Sequence, residues 1–134
     1  MGATGKGSKI KITIDVNENS LGNMTLADVD NYRVDFYAQL KKDSPVTGFD
    51  THQKGDATGI TIVGNQIIAM CDTTDLDLGQ LYATLTIEYT DTQLGGLKDV
   101  QTLVCEGTKV VEAPIKPAEV VEDPQDEEQQ GEYR

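Results

Sequence analysis

The sequence predicts an all-β, two-layered antiparallel sandwich, and three observations carry that prediction. Apolar and polar residues alternate with a period of two in several windows, no window offers a convincing helical face, and Gly, Asn and Asp punctuate the chain at short intervals. An alternating strand buries one face and wets the other. Several such strands within about 100 residues therefore need a second layer over their apolar side.

The elements follow in chain order. Residues 1–8, with Gly2, Gly5 and Gly7 around Lys6, read as a flexible Gly-rich arm. A phosphate loop is excluded there, because Gly7 separates Lys6 from Ser8 and neither the preceding strand nor the following helix exists. Ile10, Ile12, Ile14 and Val16 then alternate with Lys9, Lys11, Thr13 and Asp15, which predicts a half-buried strand. A second strand runs through Tyr32, Val34, Phe36, Ala38 and Leu40, with Arg33, Asp35, Tyr37, Gln39 and Lys41 facing outward. Two β-branched pieces, 59–63 and 66–71, are split by Gly64 and Asn65, a two-residue hairpin signal. Leu81, Ala83, Leu85, Ile87 and Tyr89 alternate with Tyr82, Thr84, Thr86 and Glu88 as the strongest late strand, followed by a turn at 91–96. The last strands are expected between Leu97 and Val111, with a bulge or bend at Gly107. Only a short helical turn, at 26–30 or 75–78, is allowed for.

Six or seven short strands at these spacings point to an immunoglobulin-like sandwich over residues 9–111. There is no tryptophan, and Cys71 and Cys105 are not placed as an antibody-type bridge around one. Both fall among apolar strand neighbours and are expected as free thiols, with a facing-strand disulfide as the alternative.

Charge divides the chain. Of the net −12, half lies in residues 112–134, which hold eight acidic and two basic residues and three of the four prolines. This stretch reads as an extended acidic tail, with Pro114, Pro117, Val120, Val121 and Tyr133 as candidate contact residues. Neither arm nor tail can bury enough apolar surface to order itself, so both are expected to dock on neighbouring subunits. The acidic balance repels phosphate backbones and argues against nucleic-acid binding. No apolar run is long enough to span a bilayer, and no signal-peptide core is seen at the amino end, so the chain reads as soluble and without a membrane role.

Chemistry-bearing residues are sparse. His52, the single histidine, reads as an exposed loop residue, with no second histidine or nearby cysteine for zinc and no well-placed serine for a nucleophile triad. Asp72, Asp75 and Asp77 read mainly as turn residues capping local amides, with a weak calcium site as the alternative. EF-hand spacing fails because Ala83 stands where the final acidic ligand belongs. No catalytic, metal or cofactor residues are assigned, and the expectation is a protein that is not an enzyme. Tyr37 and Tyr82, large amphipathic rings on outward strand positions, are the expected interface anchors.

The stretch from Asp72 to Val111, with Gly79–Tyr82 leading into an alternating strand, a turn at 91–96 and a closing Gly107–Val111 run, resembles small β-sandwich domains of tailed-bacteriophage virion proteins. In pattern it resembles upper-baseplate amino-terminal adaptor domains most, and also head-fibre or capsid auxiliary proteins. The opening KIKITIDV and the strand 32–40 extend the likeness to about 100 residues. The resemblance implies a non-enzymatic structural protein on the outer surface of the head, assembled in the host cytoplasm. Its partners would be the major capsid protein or fibre subunits, with further copies of itself in the assembly. A baseplate or tail adaptor, or a carbohydrate- or cell-surface-binding module, is the alternative.

Overall fold

The structure, a computed structural model, describes residues 3–16, 21 and 24–112. The tail residues Pro114, Pro117, Val120, Val121 and Tyr133, and with them the expected docking of the tail, lie outside the described residues.

Among the described residues eight strands form two sheets: β1 Ala3–Gly5, β2 Lys9–Asp15, β3 Asn31–Gln39, β4 Asp50–Gln53, β5 Ile60–Val63, β6 Gln66–Asp72, β7 Gly79–Asp91 and β8 Gly95–Val111. The five-stranded sheet has the order β1-β8-β7-β3-β4 and the three-stranded sheet the order β2-β6-β5. All pairings are antiparallel except that of β1 with β8. The all-β sandwich expected from the alternation is therefore the fold.

The alternation sets what faces inward. Val34, Phe36 and Ala38 of β3 and Leu81, Ala83, Leu85 and Ile87 of β7 are fully buried and meet Ile14, Ile67, Ala69 and Cys71 of the other sheet. Each large side chain so buried contributes about 1.5–3 kcal/mol, and this layer holds the two sheets together. Leu21, Leu26, Val29 and Leu76 close the core from the loops. The segments 26–30 and 75–78 are turns and bends rather than helix. Lys54 stabilises the first by donating its ammonium to the carbonyl of Val29 at 2.6 Å.

Three expectations are corrected. Ala3–Gly5 is not a free arm: it is a strand in parallel register with β8, pairing Ala3 with Lys109 and Gly5 with Val111. Three small residues carry no alternation, so the sequence hides the strand. Its anchor is the buried Thr73, whose hydroxyl accepts the Gly7 N–H at 3.0 Å and donates to the Ser8 carbonyl at 2.8 Å. The polar run 50–53 is likewise a strand, in register with β3 through Val34 and His52. Leu40, taken as an inward residue, stands beyond the end of β3 and is 72% exposed.

The turn chemistry matches its residues. Gly64, at φ +57, opens the β5–β6 hairpin. Asp91 accepts the Gln93 and Leu94 amides before Gly95, at φ +87, starts β8. Gly107 lies in a wide irregularity where Cys105, Glu106, Gly107 and Thr108 intervene opposite Leu81 alone. The Gln80 side-chain amide spans it, donating to the Cys105 carbonyl at 2.7 Å and the Thr108 carbonyl at 3.0 Å. These bonds satisfy carbonyls that the interrupted ladder leaves without partners.

Candidate interaction surface

Among the described residues, the outer face of the five-stranded sheet gathers the aromatic residues that the core does not use. Tyr37 of β3 stands directly opposite Tyr82 of β7, which in turn stands opposite Val104 of β8. Phe49 precedes β4 at the position next in register with Tyr37. The four side chains form one row across four strands, about 15 Å long at the usual strand spacing.

The rings are ordered against one another. Tyr37 and Tyr82 stack with centroids 5.3 Å apart and planes 19° from parallel, and Phe49 lies against Tyr37 at 5.8 Å with a 55° tilt. Such pairs contribute about 0.5–1.5 kcal/mol each beyond their area. The row is still open to solvent at both ends, since Phe49 is 57% and Val104 52% exposed. The two tyrosines are half-buried rather than fully exposed, because each covers the other. The period-two alternation places both on the outer face; it misses Phe49, because the strand that Phe49 precedes is too short and polar to announce itself.

Beside the apolar row the same face turns polar. Thr51 of β4 donates its hydroxyl to Asp35 of β3, and Arg33 meets the second Asp35 oxygen at 3.1 Å. Further along, Lys98 and Glu88 stand 3.9 Å apart across β8 and β7. Arg33, Asp35, Phe49, Thr51 and Thr84 enclose a shallow hollow of about 420 Å³ at the edge of the row. The face therefore offers an apolar bar rimmed by fixed charges, the usual anatomy of a protein-contact patch.

The other candidate groups have local work. His52 is not an exposed loop residue: its side chain is 12% exposed, and Nε2 lies 2.8 Å from Oδ2 of Asp50. That oxygen also accepts the Asp72 amide at 2.8 Å, so the pair ties β4 to the end of β6 across the two sheets. The imidazole packs on Gly59, at φ +94, where any side chain would collide with it. Cys71 is near enough to feel the Asp50 charge, but burial, with Asp50, Cys105 and Asp72 adding to it, pushes its thiol up to about 12. Burial raises the Cys105 thiol as well, and both cysteines are free. A thiol held protonated and buried is a poor nucleophile.

Of the three aspartates in the 72–77 loop, Asp72 and Asp77 cap amides. Oδ1 of Asp72 accepts the Thr74 hydroxyl at 2.6 Å and the Thr74 amide at 3.0 Å. Asp77 accepts the Thr47 hydroxyl at 2.6 Å and the Thr47 amide at 2.7 Å. These bonds lower both carboxyls below the usual range. Among the described residues no three His, Cys, Asp or Glu side chains converge as a metal-binding group. No family model, curated protein or solved structure matches this chain.

Proposed function

We propose that this chain is a non-enzymatic structural protein of a tailed-phage virion, an immunoglobulin-like sandwich attached to the capsid surface as an auxiliary or head-fibre component. The observation that carries the docking role is the row Phe49, Tyr37, Tyr82 and Val104 on the outer face of the five-stranded sheet. Aromatic residues held rigid by their neighbours lose little entropy on contact, and their apolar bodies seek a partner surface. The virion setting rests on the resemblance of residues 72–111 and of the two opening strands to virion sandwich domains. The strand order, with a first strand parallel to the last, suits the immunoglobulin-like part of the reading.

A sugar-binding platform is the weaker reading. Sugars stack on open ring faces, whereas Tyr37 has Tyr82 stacked against it and Phe49 tilted onto it.

Immunogold labelling of purified virions with an antibody to the chain tests the setting, with labelling on the head expected and a bare particle overturning it. Incorporation of a Tyr37→Ala/Tyr82→Ala chain into particles tests the surface. It should fall at least tenfold while the chain stays folded, and unchanged incorporation removes this face from the role.

A further inference from the structure

The edges of the two sheets are treated unequally. Strands β1, β4 and β5 end their sheets with three, four and four residues, lengths that offer little backbone for another chain to pair with. Among the described residues, strand β2 ends the three-stranded sheet with seven, Lys9–Asp15, and it carries no proline and no bulge. Its inward residues, Ile10, Ile12 and Ile14, include no charge to deter pairing, and the first two are only half-buried. Beside it a cleft of about 420 Å³ opens between the sheets, bounded by Ile12 and Ile14 on one side and Leu103 and Cys105 on the other.

The hydrogen-bond parity of this edge is fixed. Val16 donates to the Asn65 carbonyl and Thr73 donates to the Ser8 carbonyl, so the even residues of β2 spend their backbone groups on β6. The odd residues Lys9, Lys11, Thr13 and Asp15 therefore aim four N–H and four C=O groups outward, away from the sheet.

We infer that β2 is a self-pairing edge: two copies of this chain join through antiparallel β2 strands about a two-fold axis at Ile12, making one continuous six-stranded sheet. Only registers that oppose odd residues to odd residues use the outward groups. Of these, the register centred on Ile12 uses the whole strand and satisfies all eight groups on each copy. It sets Lys9 of one copy against Asp15 of the other, Lys11 against Thr13, Ile10 against Ile14, and Ile12 against itself. Asp15 spends Oδ1 on the Gln66 side chain, which leaves Oδ2 to meet the lysine. A shift by two residues in one direction opposes Lys11 to Lys11; in the other it still opposes Lys11 to Asp15 but carries Lys9 past the end of the partner strand, so that only six of the eight outward groups on each copy are paired. Charge excludes the first shift and strand length disfavours the second, so the Ile12-centred register is selected, and the symmetric dimer covers the half-exposed Ile10 and Ile12. This inference is independent of the virion setting and of the aromatic face.

Sedimentation of the full chain over a concentration series tests it, with a monomer–dimer equilibrium expected in the micromolar range, about 1–100 µM. Thr13→Pro removes an outward donor that the β2–β6 ladder does not use, and should leave a folded monomer. Lys9→Asp and Asp15→Lys each oppose like charges at both ends of the interface and should weaken the dimer about tenfold or more. The combined Lys9→Asp/Asp15→Lys chain restores opposite charges and should return to within about threefold of the original. If Thr13→Pro fails to fold, the charge series decides alone. A chain that stays monomeric throughout, a dimer indifferent to the charge reversals, or a swap that fails to restore association overturns the inference.

Discussion

The two sheets expose themselves in different currencies. The five-stranded sheet turns side chains outward, as a row of aromatic and apolar residues across its middle, while its terminal strands β1 and β4 are short. The three-stranded sheet covers the β2 part of its outer face with Lys9, Lys11, Thr13 and Asp15 but, among the described residues, leaves the outer backbone edge of that strand unpaired. A side-chain row recognises the shape and chemistry of a partner. An open edge recognises only extended backbone, with register supplied by whatever alternates along it. One small domain can thus hold two contacts that do not compete.

The strongest way to probe this division is within one strand. Phe36 and Tyr37 are neighbours on β3 pointing to opposite faces. Phe36→Ala empties the core and should cost about 4 kcal/mol by denaturant unfolding, whereas Tyr37→Ala should cost about 1 kcal/mol. Equal costs would mean that the outer row is part of the stability core rather than a surface. Next in size is Gly79→Ala. A Cβ there would lie 2.1 Å from the Gln39 carbonyl oxygen, at φ +124, where L side chains are strained in any case. A loss of about 3 kcal/mol is expected, confined to the five-stranded sheet in hydrogen exchange. Thr73→Val removes the hydroxyl that gathers Gly7 and Ser8, and should cost about 1–2 kcal/mol while raising exchange at β1 before the rest of the fold.

A further pair of effects lies in pH. Cys71 is raised in the folded state from 9.0 to about 12, so the native protein holds its proton more tightly than the unfolded chain does. That contribution is complete below about pH 9 and is lost as pH rises toward about 12. The stability of Cys71→Val should therefore fall less over this range than that of the unmodified chain. Asp77 is shifted the other way by the Thr47 hydroxyl and amide, so its contribution is present above the ordinary carboxyl range and fades as pH falls through it. Asp77→Asn should flatten the acid limb of the unfolding profile, and an unchanged limb would show that this link carries no stability.

How much of this was readable depends on what each element needs from its residues. Strands β2, β3 and β7 are long enough for two-fold alternation to show, and their faces follow directly from it. Strands β1 and β4 are three and four mostly polar residues that owe their conformation to β8 and β3, so nothing local marks them. The same gap misplaced His52, which is drawn inward by its register with Val34 and not by its own polarity. Outward positions for Tyr37 and Tyr82 were legible. Their stacking was not, because period two says which face a residue takes and is silent on which strands are neighbours. Gln80 gave no signal at all: its role exists only because β8 inserts four residues opposite Leu81.

The parallel pairing of β1 with β8 sets how the domain would carry load. These strands stand at opposite ends of the described chain yet lie side by side with the same direction. Tension applied before Ala3 and after Val111 pulls β1 toward its start and β8 toward its end. Their shared hydrogen bonds, and the Lys6 amide on the Val111 carbonyl at 2.8 Å, then slide in shear and must yield together. An antiparallel hairpin pulled at its open end would instead unzip one bond at a time. In single-molecule stretching between those two points, the first event should be a sharp rupture at β1–β8, and Thr73→Val should lower its force.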